Sequence, residues 1–169
     1  MTLATPKRPE PPHTGDERAV LNGFLDYQRG TVAWKCSGLT VDQARQVHVP
    51  SELTTVAGLL AHLILVENYW FSVVIDGQED TWAERLKVDP DAEFRIAQDV
   101  TMEQLLADYE AECERSREIV AKVELDHVAT NDKREVNVRW VIAHMIEETA
   151  RHAGHLDLLR ELTDGLTGE

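Results

Sequence analysis

Apolar residues recur every three or four positions over four long stretches of the chain, which predicts four amphipathic helices. These stretches cover residues 16–38, 54–75, 101–125 and 136–163. Gly38, Gly77 and Gly165 follow the first, second and fourth stretches, and glycine often ends a helix. Thr101 stands where the third helix needs an N-cap. No stretch shows the strict alternation typical of a β-strand, so we predict an all-α protein.

Four helices of this length around one core are typical of a four-helix bundle. Residues 76–100 join the second and third helices. This connection is much longer than a tight hairpin needs, so these two helices can run parallel with a crossover between them. The connection contains Trp82 and Phe94, which we expect to pack over one end of the bundle.

The N-terminal residues differ from the rest of the chain. Residues 1–15 hold four of the six prolines and show no apolar periodicity, which predicts a disordered tail. Residues 16–165 then form one domain, and an apolar content of 43% is enough for one core.

Charge excludes several classes of partner. The chain has 31 acidic and 17 basic residues and a net charge of −14, which repels nucleic acids and anionic membrane surfaces. We find neither a signal peptide nor an uninterrupted apolar run long enough to span a membrane, so we expect a cytoplasmic protein. Cys36 and Cys113 lie apart within predicted helices and are expected to be packed free thiols.

Polar residues interrupt the core face of the fourth helix. Residues 144–155, HMIEETARHAGH, hold three of the seven histidines. At about 100° per residue, His144, Glu148, His152 and His155 project within an arc of about 80°. The predicted inward stripe of this helix consists of Val138, Val141, Met145, Glu148, His152, His155, Leu159 and Leu162.

A histidine also lies at core depth in the second helix. His62 stands between Leu59 and Val66 in a segment whose other residues are apolar or glycine. Burying an ionised Glu148 beside it costs several kcal/mol unless the carboxylate is paired. Two interpretations stay open: a polar network that bridges the two helices, or a metal site. Two imidazoles and one carboxylate match a catalytic zinc site and also an iron(II) site.

A di-iron site is disfavoured. Such bundles need Glu-x-x-His on each of two helices together with two further glutamates. Within the predicted helices this motif occurs once, at Glu124–His127, where the third helix ends. The sequence therefore favours a mononuclear site, and we expect His127 and His48 to be surface residues.

The chain resembles the DinB-like superfamily of metal-binding four-helix bundles in two segments, LLAHL with ENYWF on the second helix and WVIAHMIEETARHAGHLDLLRE on the fourth. Within that superfamily it is similar to the actinobacterial branch of mycothiol-dependent enzymes, which includes the N-terminal domain of the maleylpyruvate isomerases. The resemblance implies an up-down-down-up bundle and a divalent metal held by His62, Glu148 and His152. Many members have histidine where this chain has Glu148, whereas the isomerases show the same His/Glu/His set. In a less favoured alternative, His144 replaces Glu148.

The resemblance also implies a chemistry. A Zn²⁺ ion, or another divalent ion such as Ni²⁺ or Fe²⁺, would hold the sulfur of mycothiol as a thiolate for transfer to an electrophilic substrate, and His144 and His155 would assist as catalytic or proton-carrying groups. The isomerases carry a further C-terminal domain, and this chain ends soon after the fourth helix, so we expect a thiol S-transferase. The alternatives are a metal-dependent hydrolase and a non-enzymatic metal-binding stress protein. A homodimer is compatible with the resemblance.

Overall fold

The structure, a computed structural model, describes residues 8–131 and 134–168. Within these residues the chain is mainly helical, as predicted, and a single hairpin supplies the strands. The helices are α1 (Glu17–Cys36), α2 (Val41–Ala44), α3 (Val56–Glu67), α4 (Ala83–Val88), α5 (Ala92–Ile96), α6 (Met102–Ala121) and α7 (Val138–Asp164). Helix α3 continues directly as a π-helix, Asn68–Ile75, and strands β1 (Val128–Asn131) and β2 (Arg134–Asn137) precede α7.

Side-chain caps define the starts of the long helices. The Asp16 carboxylate accepts a hydrogen bond from the backbone N–H of Ala19 at the start of α1. The predicted cap Thr101 does the same for α6, and the Asn137 side chain does so for α7. Gly165 ends α7 with a φ of 75°, in the left-handed region that favours glycine. The helix boundaries therefore follow from local sequence.

The second predicted helix is the most buried one. Most residues of α3 are buried, and they lie on several faces of the helix. Trp70 and Phe71 of the π-helix are also buried. By length and composition alone, Val56–Ile75 is apolar enough to cross a membrane, but 61% of its most apolar window is buried in the protein. The segment is the central core helix, packed against α6 and α7. A π-helix often occurs near a functional site.

Two apolar clusters fill the interior. One joins the end of α1, the start of α3, the first half of α6 and the second half of α7, and includes Leu60, Tyr109 and Leu156. The other joins the π-helix, the end of α6 and the first half of α7, and includes Phe71 and Met145. Because α7 contributes to both clusters, and α3 with its π-helical continuation does too, these two elements pack into the core over most of their length.

The hairpin before α7 was not predicted. Strands β1 and β2 pair antiparallel, with Ala129 opposite Val136 and Thr130 opposite Glu135. The expectation of no strand was wrong because each strand has only four residues, too few to show an alternating pattern. Ala129 is buried in the second cluster, so the hairpin closes that end of the core.

The predicted inward stripe of α7 is correct in its first half and wrong near its end. His155 is exposed, and Leu162 is 59% exposed. Leu156 and Arg160 are buried in their place. The predicted stripe steps from His152 to His155 and from Leu159 to Leu162, so it passes over Leu156 and Arg160, which lie inside.

Arg160 is buried because the chain supplies acceptors for its guanidinium group. Its Nη1 donates to the backbone carbonyls of Lys35 and Ser37 at the end of α1. Its Nε and Nη2 donate to the Asp164 carboxylate one turn later on α7. The arginine thereby ties the C-terminal ends of α1 and α7 together, since unpaired carbonyls at a helix end need donors.

Part of the predicted tail is described. Arg8 donates a hydrogen bond to the Thr31 hydroxyl and lies over the rings of Tyr27 and Trp34 on α1. Residues 1–7 lie outside the described residues, and the division of the chain at residue 15 stays a prediction. In the 76–100 connection, α5 packs against α3, and Phe94 packs against the first apolar cluster.

Candidate metal centre

Three predicted ligands meet where α3 faces α7. His62 lies on α3, and Glu148 and His152 lie one turn apart on α7. Their ligand atoms all lie within 4.8 Å of one another. Glu148 Oε1 is 3.3 Å from His62 Nε2 and 3.2 Å from His152 Nε2. Two imidazole nitrogens therefore point at one carboxylate oxygen.

The spacing of these atoms suits a small divalent ion. In a tetrahedral site with ligands about 2.0–2.1 Å from zinc, neighbouring ligand atoms lie about 3.3–3.4 Å apart. The two nitrogen-to-oxygen distances at Glu148, 3.3 and 3.2 Å, are close to this separation. The donor set of two imidazoles and a carboxylate also suits zinc, nickel or iron(II). The residues present therefore fit such an ion.

His62 lies between two carboxylates. Its Nε2 faces Glu148, and its Nδ1 lies 3.1 Å from Oε1 of Glu93. A neutral imidazole carries one N–H and can donate to only one of them. The second contact needs a further proton, on the ring or on a carboxyl group, or a metal ion at Nε2. A metal ion between His62 and Glu148 is one arrangement that satisfies both contacts.

Sequence reasoning missed Glu93. This glutamate belongs to α5, and only 5% of its surface is exposed. Its second oxygen, Oε2, is buried without a hydrogen-bond partner among the described residues. A carboxylate behind a metal-binding histidine fixes the ring and makes it a better ligand. No signal in the sequence marks Glu93, because it lies in a connection without periodicity.

Phe94 packs against one face of the His62 ring. Its ring stacks on the His62 ring with centroids 5.1 Å apart and an interplanar angle of 11°. Packing was the predicted role of Phe94, and its contact includes the site itself. Glu93 and Phe94 together fix the His62 ring in both position and rotation.

The ionisation of the cluster suits metal binding. Burial raises the pKa of Glu148, but the hydrogen bond with His62 and the charge of His152 outweigh it, so the pKa lies below its ordinary 4.5. Burial, and then the charge of His62, lower the pKa of His152 below its ordinary 6.5. At neutral pH, Glu148 is therefore an anion and His152 a neutral imidazole, the forms that bind metals.

His155 adjoins the centre without joining the triad. Its Nδ1 lies 3.4 Å from Nδ1 of His152, on the edge of the His152 ring that points away from Glu148. Its side chain is exposed. His155 is therefore placed to accept the Nδ1 proton of His152 and to exchange protons with solvent.

His144 lies in an aromatic cluster instead. Its ring stacks on Trp140, with centroids 5.1 Å apart, and meets the edge of Trp70 at 4.8 Å. Its Nδ1 lies 3.7 Å from Glu147. Among the described residues, the group that could hold a metal contains Glu148 and not His144.

Other predicted residues lie away from the centre. His127 is exposed, and His48 is half-buried, with Nε2 2.9 Å from the Thr163 hydroxyl. Arg151 pairs with Glu147 one turn earlier, and its Nη1 also lies 3.8 Å from Oε2 of Glu148. A cation thus borders the triad on its exposed side.

A second buried polar cluster lies further along α3. Glu67 accepts two hydrogen bonds of 2.7 Å from Arg29 and one of 2.7 Å from the Ser116 hydroxyl. Both charged side chains are buried. The pair joins α1, α3 and α6. Sequence reasoning did not identify it, although Glu67 is the one charged residue of the apolar segment Val56–Ile75 and was a signal that could have found it.

One family of known proteins matches most of the chain. The family model described as Mycothiol-S-transferase matches residues 20–165, which covers the long helices and all three triad residues. This match confirms the resemblance to the mycothiol-related branch of the DinB-like proteins. A search of curated proteins finds no match to the chain. The chain belongs to the Mycothiol-S-transferase family.

Proposed function

We propose that this protein is a divalent-metal-dependent S-transferase that joins the sulfur of mycothiol to an electrophilic small molecule. The observation that carries the proposal is the His62–Glu148–His152 cluster, in which two imidazole nitrogens converge on one carboxylate oxygen. Family membership supports mycothiol as the thiol.

His62, Glu148 and His152 are the proposed ligands, and zinc is the proposed ion. When bound, a divalent ion would lower the pKa of a thiol at an open position and keep its sulfur as the nucleophilic thiolate. Three protein ligands leave such a position free. The surrounding architecture is proposed to be an up-down-down-up four-helix bundle over residues 16–165, in a cytoplasmic protein.

The chain itself does the positioning. With an ion bound, Glu93 would accept the Nδ1 proton of His62, which leaves Nε2 of that ring free to bind the ion. Phe94 covers the stacked face of His62. His155 would likewise accept the Nδ1 proton of His152, since its Nδ1 faces the Nδ1 of that ring. Both imidazoles would thereby be held in the tautomer that leaves Nε2 unprotonated.

His155 and His144 are the proposed catalytic histidines. His155 is exposed beside His152, so it can carry the proton released by the thiol to solvent. His144 contacts Trp70 and Trp140 one turn before Glu148, so its imidazole is the next histidine along α7 on the N-terminal side of the triad.

The nucleophilic thiol does not come from the protein in this proposal. Cys36 and Cys113 are both buried, and burial raises the pKa of each thiol to about 12. Neither cysteine belongs to the His62–Glu148–His152 group. An added small-molecule thiol is therefore the sulfur donor.

The test combines metal content with thiol transfer. We expect the wild-type protein to bind about one divalent ion per chain, and His62→Ala, Glu148→Ala and His152→Ala to lose it while remaining folded. His127→Ala is the matched control, because His127 is exposed and far from the triad in sequence. Transfer would be followed with mycothiol and 1-chloro-2,4-dinitrobenzene, in which a carbon–sulfur bond forms and chloride leaves.

Two results would overturn the proposal. The first is a wild-type protein that takes up no ion even after incubation with zinc. The second is transfer that is unchanged after chelation or in the triad variants. Metal-dependent ester hydrolysis without any thiol would instead favour the hydrolase.

A further inference from the structure

An apolar groove begins beside His155. It has a volume of about 530 Å³ and lies between the loop before α3 and the last turns of α7. The side chains that line it are Val49, Thr54, His155, Leu158, Leu159, Glu161 and Leu162. Its size is that of a small-molecule site.

Two leucines of this groove are unusually exposed. Leu158 is 63% exposed and Leu162 is 59% exposed. They lie one turn apart on α7, so their side chains form one continuous aliphatic surface. A contiguous apolar surface inside a concavity marks a binding site more strongly than a single exposed leucine does.

The groove is continuous with the metal centre through one residue. His155 lines the groove, and its Nδ1 lies 3.4 Å from Nδ1 of His152. Leu158 and Leu159 follow His155 by one turn of helix. A molecule in the groove therefore contacts His155, whose ring adjoins the edge of His152 that points away from Glu148.

The lining also restricts the charge of the occupant. Glu161 is the one charged residue among those that line the groove, and the whole chain carries a net charge of −14, so an anionic occupant is disfavoured. A second cavity, of about 420 Å³, is lined by Tyr69, Trp70, Asp80 and Lys87 together with the aliphatic residues Leu65, Val66, Ala83 and Leu86. It has two charged lining residues where the groove has one.

We propose that the groove binds the alkyl or aryl part of the electrophile, and that the acceptors of this enzyme are neutral apolar molecules with one electrophilic carbon. This inference rests on the proposed function, because it needs a nucleophilic sulfur that an acceptor can reach when it extends from the groove past His155 and His152. With a 1,2-epoxyalkane, a bond forms between sulfur and the terminal carbon, and the carbon–oxygen bond to that carbon breaks. The alkoxide takes up a proton equivalent to the one that the thiol lost.

The first experiment measures binding without metal or turnover. Metal-depleted wild-type protein is titrated with the neutral fluorescent probe N-phenyl-1-naphthylamine, which is then displaced by 1-alkanols of four to ten carbons. Each added methylene should tighten binding by about two- to fourfold until the groove is filled. Leu158→Ser and Leu162→Ser should flatten this dependence. Val88→Ser is the control, because Val88 is an exposed aliphatic residue of α4, 88% exposed, outside the groove.

The second experiment measures transfer from mycothiol to 1,2-epoxyalkanes of the same chain lengths by the zinc-loaded protein. kcat/KM should rise with chain length in the wild type and in Val88→Ser, and less steeply in the two leucine variants. If kcat/KM for transfer does not depend on chain length, the groove assignment is overturned, whereas the proposed transferase activity is retained. Chain-length-dependent alkanol binding without transfer to any acceptor would instead remove the proposed function, and the acceptor assignment with it.

A second copy of the chain is the competing occupant. Light scattering that shows a dimer in the wild type and a monomer in Leu158→Ser and Leu162→Ser would make the groove a subunit interface and overturn the inference. A mass that is the same in all four proteins, together with alkanol binding as expected, supports it.

Discussion

Nδ1 of His62 lies 3.1 Å from Oε1 of Glu93, and this contact joins the buried core helix α3 to a short helix of the 76–100 connection. The other nitrogen of the same ring faces Glu148, so one histidine links the connection to α7. The connection therefore contributes to the geometry of the metal centre as well as covering it.

Substitution of Glu93 should weaken metal binding without removing a ligand. In Glu93→Ala we expect the affinity for zinc to fall about 10- to 100-fold, because His62 loses the acceptor that fixes its ring and tautomer. Glu93→Gln should lose less, since its amide oxygen can still accept the Nδ1 proton. Competition with a chromogenic chelator measures the affinity.

The matched control for Glu93 is Glu84→Ala. Glu84 lies in the same connection, its side chain is 83% exposed, and it pairs with Lys87. Its removal should leave zinc affinity unchanged. Equal losses of affinity in the Glu93 and Glu84 variants would show that the connection acts through charge alone.

The sequence predicted the three residues of the triad but not Glu93. His62, Glu148 and His152 were identified because each is a polar residue on an otherwise apolar helix face, a local signal, and because of the family resemblance. Glu93 gives no such signal, since its contact with His62 spans 31 residues and depends on the path of an irregular connection.

The fold shows the same division between local and distant causes. Helix starts at Thr101 and Asn137 follow from capping residues, which act over one turn. The burial of Arg160 was missed because its partners include the carbonyl of Lys35, 125 residues away. Periodicity describes one helix at a time and contains no information about such partners.

The buried ion pair gives a prediction about stability. Arg29→Met should lower the free energy of unfolding by about 3–5 kcal/mol, because Glu67 is left as an unpaired buried charge. The double variant Arg29→Met/Glu67→Leu should recover much of this loss. Urea denaturation followed by circular dichroism measures both.

Arg117→Met is the control for the ion pair. Arg117 pairs with Asp26 and Glu114, and its side chain is 41% exposed. Exposed pairs contribute about 0–1 kcal/mol, so this variant should change stability little. A double variant as unstable as Arg29→Met would show that the loss comes from packing and not from an unpaired charge.

The two cysteines should be unreactive in the folded protein. Burial raises the pKa of Cys36 and of Cys113 to about 12, from an ordinary value of 9.0, so both stay protonated at pH 8 to 10. Iodoacetamide at pH 8 should modify neither thiol in native protein and both in urea, as mass spectrometry would show. Rapid modification of native Cys113 would contradict its burial.

The same shifts predict the sign of an alkaline effect on stability. A thiol whose folded pKa is raised contributes stability that is full below the unfolded value of 9.0 and is lost as pH rises toward 12. The free energy of unfolding should therefore decrease between pH 9 and pH 11, and this decrease should be smaller in Cys36→Ala. An identical decrease in that variant would show that other groups cause it.

His144 distinguishes between the two proposed ligand sets. Its ring contacts Trp70 and Trp140 and not the triad, so His144→Ala should retain about one ion per chain and change the tryptophan fluorescence, whereas Glu148→Ala should lose the ion. His144→Phe keeps an aromatic ring in the cluster and should retain both the ion and the packing. Transfer activity should fall in both His144 variants if the imidazole itself takes part, because only its ring nitrogens can exchange a proton.

Loss of the ion from His144→Ala, with retention in Glu148→Ala, would make His144 the third ligand. The Glu148 carboxylate would then be a hydrogen-bond acceptor for His62 and His152 instead of a ligand.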